Sequence, residues 1–428
     1  MITMLTVGSI ITEKVIDVDY LGQGVIKHDG YVIFVPKLID GELAKIKITK
    51  VKKNFCQGQV VDILEASPDR NQDVSQLDAL NLYHMLPSRQ LAWQEKTTVE
   101  TFKKIADLDI SLDETIYDDR YINYRNKSVF HVIEDSVLRL GLYDTTKNNI
   151  VDTDDFILSD VVTNKILKFI NDAKFKIEKN GLTHVVFRTN LKGEILVTFV
   201  SRKDQIRGLT QVVEALQMFS FVVGITFNVN RNHKVILGKE STTLFGENII
   251  RERLNGIDML INDRAFFQIN VPVIEKAYQL IKDDLSNNDV VLDAYSGIGS
   301  IGYYIYDRVK KVIMVESNKQ NINLAHQIRD QFDVNNIEIS YQRAELYQAK
   351  ESIDKVICDP PRNGLMPEFV DTLLQMKPKK IYYLSCDVKT LSRDVNLLKE
   401  NYMIESIHPI RMFYHTTSLE TLVVLKQN

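Results

Sequence analysis

Cysteine is scarce in this sequence, and long apolar runs are missing. The 428 residues include three cysteines, Cys56, Cys358 and Cys386. So few and so widely spaced, they exclude a disulfide framework and fit a reducing, cytoplasmic compartment. No stretch approaches the roughly 18 uninterrupted apolar residues of a membrane span. The amino terminus, MITMLTVGSIITEKV, lacks the basic region and apolar core of a signal peptide. These absences predict a cytoplasmic protein with no membrane partner.

An excess of positive charge is also missing. Lys and Arg number 53 against 57 Asp and Glu, for a formal net charge of −4. This balance neither indicates nor excludes a nucleic-acid partner, which would require positive charge to be concentrated locally. Hydrophobic residues at 44% and charged residues at 26% exclude a wholly disordered chain. The length predicts about two or three domains.

Residues 1–68 are predicted to form a small OB-type β-barrel. Short β-rich runs separated by glycine-containing turns indicate about five strands. The run KIKITKVKK places five lysines on or beside one strand, where they form either a solvated, edge-protecting face or an RNA-binding surface. These lysines are Lys45, Lys47, Lys50, Lys52 and Lys53.

Residues 69–264 are predicted to form a mixed α+β domain. A helix over about 90–108 is a candidate for packing on the domain that follows. Several β-rich segments come after it: KSVFHVI, THVVFRT, EILVTFV, FVVGITFNV and KVILG. The apolar residues near one face of the predicted helix are Leu91, Val99, Phe102, Ile105 and Leu108.

Residues 265–428 alternate between helical and strand patterns. This alternation predicts a doubly wound, mostly parallel sheet, whose ligands bind beyond the carboxyl ends of the strands. DAYSGIGSIG follows its first strand, and its glycines satisfy the G-x-G-x-x-G pattern of a nucleotide-binding loop. Glu316, at the end of the next strand, could accept ribose hydroxyls. The loop fits NAD or S-adenosylmethionine equally well, and a purely structural turn is the alternative.

DPPRNGL follows a later strand of this unit. Its two prolines stiffen the loop so that Asp359 projects into the cleft, an arrangement typical of S-adenosylmethionine enzymes that modify planar bases. Enzymes that methylate exocyclic amines usually carry an aromatic residue after the prolines. This chain has Arg362 there, which argues against an amino-group target. A rigid turn with a capping aspartate is the alternative.

Cys386 lies where the strand KIYYLS gives way to the polar segment DVKTLSRD. That position puts the thiol at the ligand-binding edge of the sheet, where it is a candidate nucleophile. A helix N-terminus and Lys389 or Arg393 are expected to lower its pKa. The alternative is a buried structural cysteine, which is the expected state of Cys358.

Glu420 enters an apolar terminal strand. A carboxylate is costly there unless it is paired or functional, so Glu420 is a candidate general base. His415 is a weaker candidate that could simply bond the loop.

Together these segments resemble the RNA uracil-C5 methyltransferase family, S-adenosylmethionine-dependent enzymes that form 5-methyluridine. FFQIN, DAYSGIGSIG, DPPRNGL, SCDVKTLSRD and HTTSLET stand in the family's order. The first 70 residues resemble a TRAM domain, the OB-like RNA-binding module of many members. The resemblance therefore implies a Rossmann-like methyltransferase domain, an N-terminal OB-fold barrel and a central α+β RNA-binding domain. The TRAM-like segment favours the 23S rRNA branch, since the bacterial tRNA branch generally lacks it.

The resemblance also implies roles for individual residues. Cys386 would add to carbon 6 of a flipped uracil, and Glu420 would remove the carbon-5 proton. The residues expected to bind the cofactor are Gln268, Tyr295, Gly297, Gly299, Glu316 and Asp359. The residues expected to contact RNA are Arg125, Phe267, Asp359 and Arg362, together with the lysines of the first domain.

This chain departs from the family pattern at the cluster positions, in the terminal motif and at Ser296, where the family often has a non-catalytic cysteine. Many members hold an iron–sulfur cluster on four cysteines, which correspond here to Asn71, Leu77, Leu80 and Phe156. Because such a cluster needs thiolate ligands, no iron–sulfur cluster and no metal site are predicted, and ordinary packing must hold this segment. In the terminal motif Arg411, Tyr414 and Ser418 replace Asp, Pro and His, which puts the contacts around Glu420 in question.

Three alternatives remain open. A tRNA could be the substrate in place of 23S rRNA. An NAD-dependent oxidoreductase would use the glycine loop but leave the Asp-Pro-Pro loop and Cys386 without a role. A non-catalytic RNA-binding or ribosome-assembly protein would have no need of Cys386 and Glu420. The predicted partner is RNA, and no obligate protein partner is evident.

Overall fold

The computed structural model describes residues 5–73, 75–133, 136–232 and 234–428. The first four residues of the predicted N-terminal domain lie outside this part. Among the helices of these ranges, none combines the length and the apolar composition that a bilayer crossing would need.

The N-terminal domain is a mainly antiparallel sheet. Its strands are β1 (Ile10–Lys14), β2 (Asp17–Val18), β3 (Gln23–His28), β4 (Tyr31–Pro36), β5 (Leu43–Val51) and β6 (Phe55–Glu65). They are ordered β1-β5-β6-β4-β3-β2, with β4 and β6 parallel. Strand β5 buries Ala44, Ile46 and Ile48, while Lys45 and Lys47 between them face solvent.

Helix α1 (Pro87–Ala106) follows the N-terminal domain and packs on the C-terminal domain. Its buried face is mostly polar and differs from the predicted apolar face. Phe102 is buried as expected, but Ile105 is 40% exposed. The polar side chains buried in its place are Gln90, Gln94, Thr97, Thr98 and Thr101.

The central domain is built on a sheet ordered β13-β12-β11-β10-β7-β8-β9. Its strands are β7 (Lys127–Val132), β8 (Leu140–Asp144), β9 (Asn149–Asp152), β10 (Leu182–Thr189), β11 (Ile195–Ser201), β12 (Val222–Val229) and β13 (Ser241–Gly246). Helices α2 (Val161–Ala173) and α3 (Leu209–Leu216) share a core with it. The predicted strand KVILG is wrong: these residues form turns, and the Asn230 side chain donates to the carbonyls of Val235 and Ile236.

A hairpin of β14 (Ile250–Leu254) and β15 (Ile257–Ile261) precedes the catalytic segment. Its apolar side chains belong to the same core as the helices of the C-terminal domain. The packing therefore groups this hairpin with the C-terminal domain, whereas the sequence-based boundary at residue 264 assigned it to the central one.

The C-terminal domain is a seven-stranded sheet ordered β18-β17-β16-β19-β20-β22-β21, in which β22 runs antiparallel to both neighbours. The strands are β16 (Val290–Ala294), β17 (Lys311–Glu316), β18 (Ile337–Tyr341), β19 (Lys355–Cys358), β20 (Lys380–Ser385), β21 (Tyr402–Ile410) and β22 (Glu420–Gln427). The helices are α4 (Val271–Asp283), α5 (Ser300–Ile305), α6 (Lys319–Gln331), α7 (Pro367–Met376) and α8 (Val388–Leu398).

Successive strand residues alternate between two cores, one on each face of this sheet. Helices α4, α5 and α6 cover one face, and α7, α8 and α1 cover the other. The second core also includes Val18 and Ile39 of the N-terminal domain. The order of the strands reverses between β16 and β19, so a ligand cleft is expected beyond their carboxyl ends.

Candidate active site

The pairing of β20 with β22 brings Cys386 beside Glu420. Ser385 at the end of β20 lies opposite Thr421 near the start of β22. Because the two strands are antiparallel, the next pair of opposed positions is Cys386 and Glu420. Asp359 follows the neighbouring strand β19 and reaches the same edge of the sheet. Three residues separated in sequence by up to about 60 positions therefore meet at one edge because of the sheet topology.

Burial raises the pKa of the Cys386 thiol to about 11, and the nearby Glu420 and Asp359 carboxylates raise it as well, while Arg362 opposes them. The prediction that Lys389 or Arg393 lowers this pKa is wrong. Lys389 lies over the ring of Tyr20, and Arg393 bonds Asp394 and backbone carbonyls. The cation that lowers the pKa of the thiol is instead Arg362.

Glu420 is 2% exposed, and its Oε1 atom has no hydrogen-bond partner within the described residues. Burial raises its pKa well above the ordinary value, and the Asp359 charge raises it further. Burial also raises the pKa of Asp359, although Gln268 Nε2 donates to its Oδ2 at 3.1 Å. Burial raises the pKa of Asp359 to about 7, so this carboxyl group can hold or release a proton near neutral pH, and the raised pKa of Glu420 favours its protonated form.

The glycine loop after β16 leaves open space next to its backbone. A side chain at Gly297 would meet no atom within 4 Å, and Gly297 has a φ of 60°. A Cβ at Gly299 would lie 2.7 Å from Met314 Sδ, so that glycine is also required for packing. Glu316 Oε2 accepts a hydrogen bond from Gly297 N at 2.9 Å, which fixes the carboxylate at the end of β17 beside the loop.

Asp293 is a candidate site residue that the sequence reasoning missed. It lies at the carboxyl end of β16, is 1% exposed, and accepts a hydrogen bond from Gly302 N at 3.0 Å. Its Oδ1 has no partner within the described residues, and burial raises its pKa to about 8. The open space at Gly297 and this unsatisfied carboxylate suit a cofactor that carries a cationic amine, as S-adenosylmethionine does. An acid within the apolar run VVLDA was the signal that could have identified it.

The structure corrects the expectation for Phe267. Its ring is 4% exposed and forms part of the core, so it cannot contact RNA without unpacking. The neighbouring Phe266 is 65% exposed.

The two arginines expected to contact RNA lie in different surroundings. Arg362 is exposed and lines a cleft of about 250 Å³ that also contains Cys386. Arg125 is partly buried in the central domain, with no partner for its Nε among the described residues. The next residue, Asn126, donates to the carbonyl of Gln268 at 2.9 Å and so joins the central domain to the site.

The substituted terminal motif is held by helix α1. Arg411 is fully buried, and its Nη2 donates to Gln90 Oε1 at 2.7 Å. The same Gln90 oxygen accepts from His415 N at 2.7 Å, and Gln90 Nε2 lies 2.9 Å from His415 Nδ1. Burial lowers the pKa of His415 to about 4, so this histidine is neutral at physiological pH. In this chain the hydrogen bonds of Gln90 to Arg411 and His415 therefore hold the segment before Glu420, the first residue of β22.

The segment that corresponds to the cluster cysteines is packed with apolar side chains. Leu80 and Phe156 are buried in the core of the central domain, and Leu77 packs against it. Asn71 donates through its side chain to the carbonyl of Tyr83 at 3.0 Å. Within residues 5–73, 75–133, 136–232 and 234–428, no group of three or more His, Cys, Asp or Glu side chains could hold a metal ion.

Two sequence families match this chain. The tRNA (uracil-5-)-methyltransferase family matches residues 89–428, and the TRAM domain matches residues 5–61. An RNA methyltransferase of Streptococcus agalactiae is 31% identical and covers 99% of both chains. An RNA methyltransferase of Staphylococcus epidermidis is 33% identical over 96% of both chains.

A solved structure resembles the whole chain. The tRNA (uracil-54, C5)-methyltransferase of Pyrococcus abyssi, in complex with S-adenosyl-L-homocysteine, superposes with a TM-score of 0.77. It is 26% identical and covers 97% of this chain and 100% of its own. Because the match extends over the N-terminal domain, that domain by itself does not separate rRNA from tRNA substrates.

Proposed function

The chain belongs to the tRNA (uracil-5-)-methyltransferase family and is an S-adenosylmethionine-dependent RNA methyltransferase; from this premise we propose that it methylates carbon 5 of a uridine in 23S rRNA. Cys386 is the proposed nucleophile and Glu420 the proposed base. The observation that carries this assignment is their placement side by side where β20 ends and β22 begins, with Asp359 at the same edge.

Carbon 5 of uracil is a weak nucleophile until electron density is pushed onto it. The Cys386 thiolate forms a bond to carbon 6, and the electron pair of the 5,6 double bond moves into the carbonyl at carbon 4 as an enolate. The proton that the thiol gives up can pass to Asp359, whose pKa burial raises to about 7, so that Glu420 as a carboxylate remains available for the later proton removal.

The cofactor, when bound, supplies the methyl group that carbon 5 takes. Glu420 then removes the proton that remains on carbon 5, the 5,6 double bond re-forms, and the bond from carbon 6 to sulfur breaks to release the thiolate. The buried Oε1 of Glu420 supports this role because no side chain or backbone group among the described residues bonds it, which leaves it free to accept a proton. Asp293, Gly297 and Glu316 are the residues that would hold the cofactor, and Gln268 positions Asp359.

The target uridine must leave its stack to reach Cys386 at the bottom of the cleft. Arg362 at the cleft and the exposed lysines of β5 supply positive charge for the RNA backbone. The exposed ring of Phe266 near Gln268 is available for a base of the opened RNA.

A tRNA uridine is the second candidate substrate. The full-length match to the Pyrococcus abyssi enzyme, which acts on tRNA uracil-54, favours it. The relatives named only as RNA methyltransferases leave both substrates possible.

The test is to incubate the purified protein with S-adenosylmethionine and separate transcripts of 23S rRNA and tRNA, and then to measure 5-methyluridine by nucleoside mass spectrometry. Cys386→Ala is the variant, and Cys56→Ala is the matched control because Cys56 is buried in the N-terminal core. We expect product in 23S rRNA with the control and none with Cys386→Ala.

Product only in tRNA would move the assignment to the second candidate and leave the chemistry intact. Product with Cys386→Ala would refute the nucleophile. No product with either transcript or with assembling ribosomal particles would refute the proposed function.

A further inference from the structure

The N-terminal domain supplies part of the wall of the active-site cleft. Tyr20 and Leu21, in the turn between β2 and β3, line the same cleft as Cys386 and Arg362. Tyr20 is 49% exposed and Leu21 47% exposed. An aromatic and an aliphatic side chain therefore stand at the opening through which a nucleotide must pass.

This turn is held in place on both sides. Asp19 Oδ1 accepts hydrogen bonds from Leu21 N at 2.9 Å and from Gln23 N at 2.8 Å, which fixes the turn itself. Trp93 of α1 donates through Nε1 to the carbonyl of Asp19 at 2.9 Å, and Lys96 pairs with Asp17. The turn is thus fastened to the helix that also positions the terminal motif.

One cation lies over the aromatic ring, and a second lines the same cleft. The Nζ atom of Lys389, in the first turn of α8, lies 3.5 Å from the centre of the Tyr20 ring. Lys389 and Arg362 are both exposed and line the cleft together. The carboxylate of Asp387 accepts from the N–H groups of Lys389 and Thr390, so it serves as the helix cap. A half-exposed ring with the Lys389 ammonium beside it matches the two parts of a nucleotide, a base that stacks and a phosphate that carries negative charge.

We propose that Tyr20 and Lys389 form a binding subsite for the nucleotide next to the target uridine. Tyr20 stacks on the base of that nucleotide, and Lys389 pairs with its phosphate. The subsite rests on the proposed function, since it presumes an RNA whose target base enters the cleft. It makes the N-terminal domain part of the active site and gives it a role in selecting the sequence around the methylated uridine.

The experiment measures KM for RNA and kcat with a short, unmodified transcript that contains the uridine to be methylated. The variants are Tyr20→Ala, Tyr20→Phe and Lys389→Ala. The controls are Met403→Ala, an exposed apolar residue on β21 far from the cleft, and Lys399→Ala at the other end of α8. Each transcript is also made with an abasic nucleotide on either side of the target, which removes the base that Tyr20 would stack on.

We expect Tyr20→Ala to raise KM by about 5- to 100-fold with kcat nearly unchanged, as for loss of one stacked base. Tyr20→Phe should behave like the wild type. One abasic transcript should raise KM for the wild-type enzyme but add little to the effect of Tyr20→Ala. Unchanged affinity for S-adenosylmethionine would establish that the variants are folded.

A KM for Tyr20→Ala that matches Met403→Ala would overturn the proposal. So would equal effects of Tyr20→Ala on intact and abasic transcripts, because that result indicates a purely structural contact. If the wild-type protein forms no 5-methyluridine, the proposed function fails separately. The subsite is then tested by equilibrium binding of the same transcripts. Equal affinities of the wild type and Tyr20→Ala for the RNA would refute the subsite.

Discussion

The Cys386 thiol should be unreactive in the protein without RNA. Its pKa of about 11 leaves roughly one thiol in 3,000 ionised near pH 7.5, against about one in ten for an ordinary cysteine. Because the thiolate is the species that reacts, and a thiolate of higher pKa is the stronger nucleophile, alkylation of Cys386 by iodoacetamide should be about 20- to 30-fold slower than alkylation of an unperturbed thiol. The rate should then rise about tenfold per pH unit up to pH 10.

Peptide mass spectrometry can follow each cysteine separately, with the same protein in concentrated urea as the reference for unperturbed thiols. Glu420→Gln should speed the alkylation by removing a nearby carboxylate, and Arg362→Ala should slow it by removing the opposing cation. A rate that levels off below about pH 9 would show a resting thiolate and refute this reasoning. The expected result implies that substrate binding, rather than a preformed ion pair, brings about deprotonation.

Three further predictions concern the base, the terminal motif and the cofactor loop. Glu420→Gln should lower 5-methyluridine formation by about 10²- to 10⁴-fold and leave a covalent protein–RNA adduct on denaturing gels; normal turnover would contradict the role of Glu420. Gln90→Ala should lower the free energy of unfolding by about 2–4 kcal/mol in urea titrations, because buried Arg411 loses its shortest hydrogen bond. The control Gln331→Ala, at an exposed helix end, should change the free energy of unfolding little. Affinity for S-adenosylmethionine should rise about eightfold between pH 6.5 and 7.5 by calorimetry, because the carboxyl group of Asp293, with its pKa of about 8, must lose a proton to pair with a cationic amine. An equal rise in the Asp293→Asn variant would show that Asp293 is not the titrating group.

The sequence predicted helix α1 correctly but predicted the wrong set of buried side chains for it. Apolar spacing predicted the helix, but the side it buries is set by its neighbours. It lies against α8 and the terminal motif, where Arg411 and the backbone of His415 offer hydrogen bonds to Gln90. The buried Thr98 and Thr101 donate to the carbonyls of Gln94 and Thr97. Polar side chains can be buried where such partners exist, and no single-sequence pattern reveals the partners.

The central domain shows a similar limit. KVILG has the composition of a strand, yet Asn230 bonds its backbone into a turn and β13 forms further along at Ser241–Gly246. Local side-chain bonds compete with sheet pairing, and tertiary context decides between them.

The sequence by itself determined the chemistry that this protein can support. A glycine loop after a strand, an aspartate before two prolines, a cysteine at a strand end and a glutamate entering an apolar strand each follow from local pattern. Their order along the chain was enough for the family resemblance. Local pattern suffices here because strand ends and tight turns restrict which residues can stand there.

Only the tertiary structure decided how these residues act on one another. The antiparallel pairing of β20 with β22 brings Glu420 to Cys386, and the resulting burial raises the pKa of the thiol that was expected to be lowered. The same packing buries Phe267, exposes Phe266 and brings Tyr20 to the cleft. Desolvation and charge proximity depend on distances between residues far apart in the chain, and only the folded arrangement of the domains sets those distances.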